Sequence, residues 1–230
     1  MATAPNPRPE NGQATASEPR RLSSEDRRRQ ILDNAVELFS QHGFSGTRTK
    51  DIAAASGVSE GILFRHFNTK EDLYHAILDN YEAGSNDWMA EMKRLADLRD
   101  DEGFVRCMTA QILKSFREDK AFHRLMAYAR LEGHSMVDIF HERMGLPTVD
   151  FICSYIARRQ ADGAFRPGNP MALGIFVFSP ALQFALNNYV YEHPVLPLSE
   201  QEAVEQITQF ALGGLRVTNP PASEPTVTGE

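Results

Sequence analysis

Between Arg48 and Lys70 the chain carries side chains suited to reading a polyanionic double helix. Arg65 has a planar guanidinium that can take a guanine edge in two hydrogen bonds, or sit on a phosphate. Phosphate would repel Glu60, so its chemistry points to a base, and a cytosine amino group is the donor it can accept from. Ile62 can touch a thymine methyl, and Gly61 lets the backbone come close. The free N–H groups of a helix start at Lys70 could hold a phosphate. A second constellation lies at His134, Asp138, His141 and Glu142, spaced i, i+4, i+7, i+8 along one helical face. Two imidazoles and two carboxylates there could bind zinc, which would suit a small helical metal enzyme. A solvent-facing polar stripe explains the same spacing, and no second element offers matching ligands. HExxH, GxSxG, P-loop and GxGxxG motifs are absent from the sequence, so the chain reads as a non-enzyme with no cofactor.

These groups need helices to position them. The run Thr49–Ser56 predicts a short helix with Thr49 as its cap, Ile52 and Ala53 facing inward, and Gly57 ending it in the left-handed conformation. Val58 anchors the turn, and Ser59 caps a second helix, residues 60–67. Two short helices joined by a tight glycine turn are the helix-turn-helix pattern, whose second helix enters the DNA major groove. Leu63 and Phe67, four apart, then face the core. That leaves Glu60, Gly61, Ile62, Phe64 and Arg65 toward the DNA. An earlier helix opens at Ser23 or Ser24, with Asp26 in capping-box position, and Ile31, Ala35, Leu38 and Phe39 form its inner face. His42-Gly43 closes it. Thr69 and Asp72 open a further helix, expected to reach about Leu98, with Leu73, Ile77 and Tyr81 inward.

Composition bounds the rest. The chain has 230 residues, 42% hydrophobic and 24% charged, as ordinary globular proteins do. Its net charge of −7 supplies no broad attraction to nucleic acid. From Arg20 to His75, nine basic and eight acidic residues give +1; from Ala76 to Glu230, 14 basic and 21 acidic give −7. Any attraction to DNA must therefore come from local placement of Arg and Lys. Two cysteines, Cys107 and Cys153, make neither a disulfide framework nor a metal cluster, and read as reduced buried thiols. No signal-peptide core is present, and the apolar run 171–186 reads as a buried helix rather than a membrane span; a cytoplasmic location is expected. Residues 1–22 are rich in Pro, Ala, Ser and Thr and are expected to be a disordered arm. Arg20 and Arg21 at its end, with Arg27, Arg28 and Arg29 just beyond, could touch phosphate or the minor groove.

The ordered set Thr49, Ile52, Ala53, Gly57, Val58, Ser59, Gly61, Leu63, Phe64, His66, Phe67, Lys70 and Leu73 resembles the N-terminal domain of the TetR family of transcriptional regulators. The resemblance covers about residues 24–85. It implies an all-α fold, with a helix-turn-helix DNA-binding domain at 23–85 (motif 48–67) and a helical effector-binding and dimerisation domain at 86–218. A disordered tail would follow at 219–230. His66 and Lys70 match family positions that contact phosphate, whereas Phe64 stands where the family commonly has tyrosine, so one phosphate-binding hydroxyl is missing. The full DNA-contact set is Arg48, Thr49, Lys50, Ser59, Glu60, Gly61, Ile62, Phe64, Arg65, His66 and Lys70.

The remainder predicts helices at 100–118, 120–132, 148–160, 170–191 and 199–217, with interruptions at Gly133 and Pro147 and a bend near Pro180. The resemblance implies a ligand pocket in this bundle and a homodimer made by the last two helices, where Gly213-Gly214 could let backbones approach. Candidate pocket residues are Met108, Ile112, Phe116, Met126, Tyr128, Phe140, Phe151, Tyr155, Phe176 and Gln183. Such stripes also serve as plain core. Few ionisable groups interrupt them, which favours an apolar or aromatic small-molecule effector. The expected partners are operator DNA, a second copy and that effector; a DNA-binding dimer without an effector is the alternative.

Overall fold

A computed structural model describes residues 22–84 and 87–217; the expectations for the arm, for Arg20 and Arg21, and for the tail lie outside these residues. Every regular element among them is helical, and one isolated bridge joins Phe165 to Arg216. Helix α1, Ser24–Gly46, opens with the Ser23 hydroxyl accepting from the Asp26 N–H at 3.0 Å. Gly43, at φ 70°, breaks the regular helix where the sequence placed its end. Helices α2, Thr49–Ala55, and α3, Glu60–His66, are joined through Gly57, whose φ is 64°. Ser59 caps α3 by accepting from the Ile62 N–H at 3.3 Å.

The expected Thr49 cap does not form. Arg48 holds the N-cap position with no side-chain cap bond, and Thr49 is already the first helical residue. Its hydroxyl donates to the Glu60 carboxylate at 2.5 Å, a charge-assisted bond.

Helix α4, Lys70–Gly84, begins with the Thr69–Asp72 capping box, its two bonds 3.0 and 3.2 Å long. A separate helix α5, Asp87–Asp97, takes up the path that the sequence read as one helix to Leu98. Next come α6, Asp101–Glu118, capped by Asp100, and α7, Lys120–Glu132, which ends on left-handed Gly133. Pro147 does not interrupt the chain as expected. Helix α8, Met136–Phe140, passes through a π turn, His141–Gly145, straight into α9, Leu146–Ala161. The proline falls in the first turn of α9, just after a ladder widened to i→i+5, so its missing N–H breaks little. Helix α10, Pro170–Ala185, continues through a second π turn, Leu186–Val190, and α11, Glu200–Leu215, starts with the full Ser199–Glu202 capping box.

Taken with its π turn, the stretch Pro170–Val190 is 21 residues long and apolar enough to cross a membrane by length and composition. The sequence judged the shorter run 171–186 too short, and the added turn removes that argument. In the fold this stretch packs along α6, α9 and α11.

Two cores divide most of the work. One gathers Ile31, Phe39, Ile52, Leu63, Leu73 and Tyr74 of the first four helices, and it also contains Phe122 and Leu125 of α7 and Met136 of α8. The helix-turn-helix unit therefore shares one continuous core with the helices behind it. The other joins α5, α6, α9, α10 and α11 around Met92, Phe104, Met108, Tyr155 and Leu212. A smaller apolar cluster lies between α6, α10 and α11. The corner of the second core is pinned by Arg159, which grips the Asp101 carboxylate at 2.7 and 2.9 Å; the two side chains are only 11% and 12% exposed. The Tyr155 hydroxyl also donates to Asp101, at 2.5 Å.

Candidate nucleic-acid interface

Helix α3 splits by direction much as its spacing predicts. Leu63 and Phe67 are buried, at 0% and 3% exposure, and Val58 packs against them. Glu60, Gly61, Phe64 and Arg65 are exposed, while Ile62 and His66 are half-buried. Arg48 and Lys50 stand exposed at the start of α2. Among the described residues, Arg48, Lys50 and Arg65 make no side-chain hydrogen bond or ion pair, so their donors remain for an outside acceptor. Ser59 spends its hydroxyl on the cap. The Thr49–Glu60 bond joins the first turns of the two helices and fixes where the Glu60 carboxylate stands.

Two basic side chains behave differently from what sequence position suggests. The Lys70 ammonium donates to the Phe44 carbonyl and lies over the Phe44 ring, 4.0 Å from its centre. Burial lowers its pKa against the opposing pull of Glu71 and Glu132. The ammonium is thereby engaged within the fold, whereas the sequence alone places it on an outside phosphate. Arg28, read as an outward arm residue, instead donates to the His66 carbonyl at 3.4 Å and lies 4.3 Å from the centre of the Phe67 ring. It closes the end of the recognition helix. Neither role was legible locally, because Phe44 is 26 residues from Lys70 and His66 is 38 from Arg28.

Behind this face, α1 rests on α7. The Phe44 N–H donates to the Glu132 carboxylate at 3.1 Å, and the Tyr128 hydroxyl to the Gln41 carbonyl at 3.4 Å. A polar chain links α4 to the α6–α7 corner: the Tyr81 hydroxyl meets Ser115 at 2.7 Å, and Ser115 meets His123 at 2.9 Å. Burial pushes His123 down to about 4, with the Ser115 contact opposing, so the imidazole is neutral at neutral pH.

The ten candidate effector residues are not gathered round one cavity. Met108, Phe151 and Tyr155 pack in the second core with Ile112 beside them. Phe116 belongs to the smaller cluster and stacks on His123 at 3.6 Å. Met126 and Phe140 lie against the first core, and Tyr128 touches α1. Phe176 is 65% exposed, and Gln183 lines an apolar groove of about 490 Å3 between α10 and α11. The proposed zinc stripe also comes apart. His134 lies in the turn before α8, its ring tilted against Phe44 and Tyr74 with centroids 4.4 and 4.8 Å away, and the π turn shifts the helical register after His141. Among the described residues no three His, Cys, Asp or Glu side chains converge to hold a metal. Cys107 and Cys153 are free and only partly buried.

Comparison with known proteins meets this geometry from outside. Residues 31–77 match the family model "Bacterial regulatory proteins, tetR family". The chain is 27% identical over 200 residues to the transcriptional activator FasR of Mycolicibacterium smegmatis, covering 85% of each chain. It is 23% identical over 201 residues to the repressor KstR2 of the same organism, covering 82% of this chain and 90% of that one. Among solved structures, the ketosteroid transcriptional regulator KstR2 of Mycobacterium tuberculosis superposes with a TM-score of 0.62 at 19% identity, over 86% of this chain and 98% of that one. The regulator AibR, solved with isovaleryl coenzyme A and operator DNA, gives 0.60 at 22% identity, over 80% and 97%. The free basic side chains of the α2 start and of α3, the family match over the helix-turn-helix and relatives spanning most of the chain together identify residues 31–77 as a DNA-binding domain of the TetR family of transcriptional regulators, a family of DNA-binding proteins rather than enzymes.

Proposed function

We propose that the protein is a homodimeric, cytoplasmic repressor that leaves a near-palindromic operator when a small molecule binds behind its DNA-reading unit. The observation that carries the reading is the shared core: helices α1–α4 and α7–α8 pack as one body, so a movement of the effector helices cannot leave the recognition helix where it was. Residues 23–85 read DNA and 86–218 bind effector and dimerise, and the interface between the two stretches is the transmission.

Dimerisation is assigned to α10 and α11. Phe176 and Phe210 stand 65% and 71% exposed on them, and Met171 and Ile175 are 49% and 41% exposed, an apolar surface that a second copy would cover. Two copies would present two α3 helices to successive major grooves. The effector reading favours an apolar molecule entering among Met108, Phe151 and Tyr155, a site now filled by packing. A structural neighbour named as a ketosteroid regulator agrees with an apolar molecule, and of the isovaleryl coenzyme A bound by another only the short acyl group is apolar. The relatives include an activator as well as repressors; the shared core provides the coupling that effector-driven release needs, and the repressor reading rests on that release.

Selection of bound fragments from genomic DNA tests the reading. A recovered inverted repeat, bound by the dimer and released by an apolar acyl or sterol compound, is the expected result. Retention of no duplex above random competitor would overturn it. Arg65→Ala is expected to change base preference at one position of each half-site, costing about 1–3 kcal/mol if the contact is bidentate to guanine. Lys50→Ala is expected to weaken all sequences alike and to lower the salt slope by about one.

A further inference from the structure

We propose that the cleft between α1, α4 and the α6–α7 corner is a second ligand site, for an amphoteric molecule of short-peptide size carrying an ammonium at one end and a carboxylate at the other. This goes beyond the effector reading above and does not depend on it. The cleft has a volume of about 1000 Å3 and none of the ten candidate effector residues lines it. One wall is α1, with Asp33 and Glu37 four residues apart on the same face. The facing wall carries Lys114 near the end of α6 and Lys120 at the start of α7.

No ion pair crosses from one wall to the other among the described residues. Among the described residues Asp33 and Lys114 have no side-chain hydrogen bond or ion pair. Glu37 is met by the neutral Gln41 amide, at 2.6 Å, and Lys120 by the Tyr189 ring, at 5.8 Å. The two arginines of the cleft are already engaged, Arg117 by Glu200 and Arg124 by Glu192 at 3.6 Å. Charges of both signs that face one cleft without reaching each other gain partners only when something spans the gap.

Further observations agree. The floor is Tyr81 stacked on Phe122 at 3.8 Å, an apolar seat for a hydrocarbon stem between charged ends. Beside it the Asp119 carboxyl is held above its ordinary range, first by burial and then by the Glu118 charge, and it has no cation of its own. At the rim, Glu192 adopts φ 52°, a left-handed conformation that side chains resist, and it is this residue that meets Arg124. A ligand seated here would tie α1, which carries Arg28 and through it the recognition helix, to the α6–α7 corner. Any change its binding makes in DNA affinity is matched by an equal change that DNA makes in its binding.

The test is calorimetric titration of the full chain with ε-aminocaproate and with the tripeptide lysyl-alanyl-glutamate. Hexylamine and caproate serve as probes bearing one charge each. Saturable binding of an amphoteric probe is expected, with the single-charge probes weaker by about tenfold. The double variant Asp33→Asn, Glu37→Gln changes exposed side chains only, so its melting temperature should match the parent while the amphoteric probe loses about tenfold in affinity. Lys114→Gln should weaken the carboxylate end in the same way. Absence of saturable heat for both amphoteric probes, equal binding by hexylamine or caproate, or full affinity in the double variant would each overturn the proposal.

Discussion

The Thr49 hydroxyl stands one residue inside its helix, past the cap position, and donates to the Glu60 carboxylate eleven residues on. The consequence is functional. A carboxylate beside DNA is repelled unless it is aimed at a base amino group, and a bond at 2.5 Å does the aiming. Thr49→Val should free Glu60 and flatten any preference for cytosine at the base pair it faces, without altering the salt dependence of binding; a selection experiment with both proteins reads this. His123 gives the second prediction at this scale. Its folded pKa is about 4, below its ordinary 6.5, so between those values the unfolded chain binds the extra proton and stability falls as pH falls. From about pH 7 to about pH 5 the loss should be about 2 kcal/mol, and His123→Phe should remove most of that slope in urea titrations.

At the scale of elements, the short recognition helix depends on contacts from elsewhere. Seven residues cannot hold a helix in water alone, so α3 is stabilised by the Ser59 cap, by buried Leu63, and at its far end by Arg28 from α1. Arg28→Ala should therefore weaken binding to every duplex sequence, and lower protection of the α3 amides in hydrogen exchange, with no change in base preference. The Arg159–Asp101 pair does similar work for the effector helices. Its two side chains are nearly buried, so Arg159→Ala would strand a carboxylate and cost about 3 kcal/mol in a thermal melt, whereas loss of an exposed pair such as Arg94–Glu91 would cost little. The sequence placed most helix starts because a capping residue and the first turn lie within four positions of each other. It misjudged α8–α9, since whether Pro147 stops a helix depends on a π turn preceding it, which no local pattern announces.

For the whole molecule, the proposed assembly rests on the apolar faces of α10 and α11. Phe176→Glu with Phe210→Glu should yield a monomer in sedimentation at micromolar concentration and should weaken operator binding far more than either half-site contact does, because the two recognition helices would no longer be tethered. The polar Tyr81–Ser115–His123 chain and the α1–α7 contact show the DNA-reading helices to be one face of a larger packed body rather than a separate bead.

By itself the sequence determined the all-helical class, the helix-turn-helix with its Gly57 turn and Ser59 cap, and the outward direction of Glu60, Gly61 and Arg65. Each of these follows from side chains within a few residues of one another. Only the tertiary structure decided that Lys70 and Arg28 turn inward and that His134 packs against Phe44 rather than joining a metal stripe. It also decided that the aromatic and methionine stripes fill separate cores, while charged walls frame the open cleft. Those outcomes are fixed by partners that adjoin in space after folding, and a residue's own neighbourhood in the chain carries no record of them.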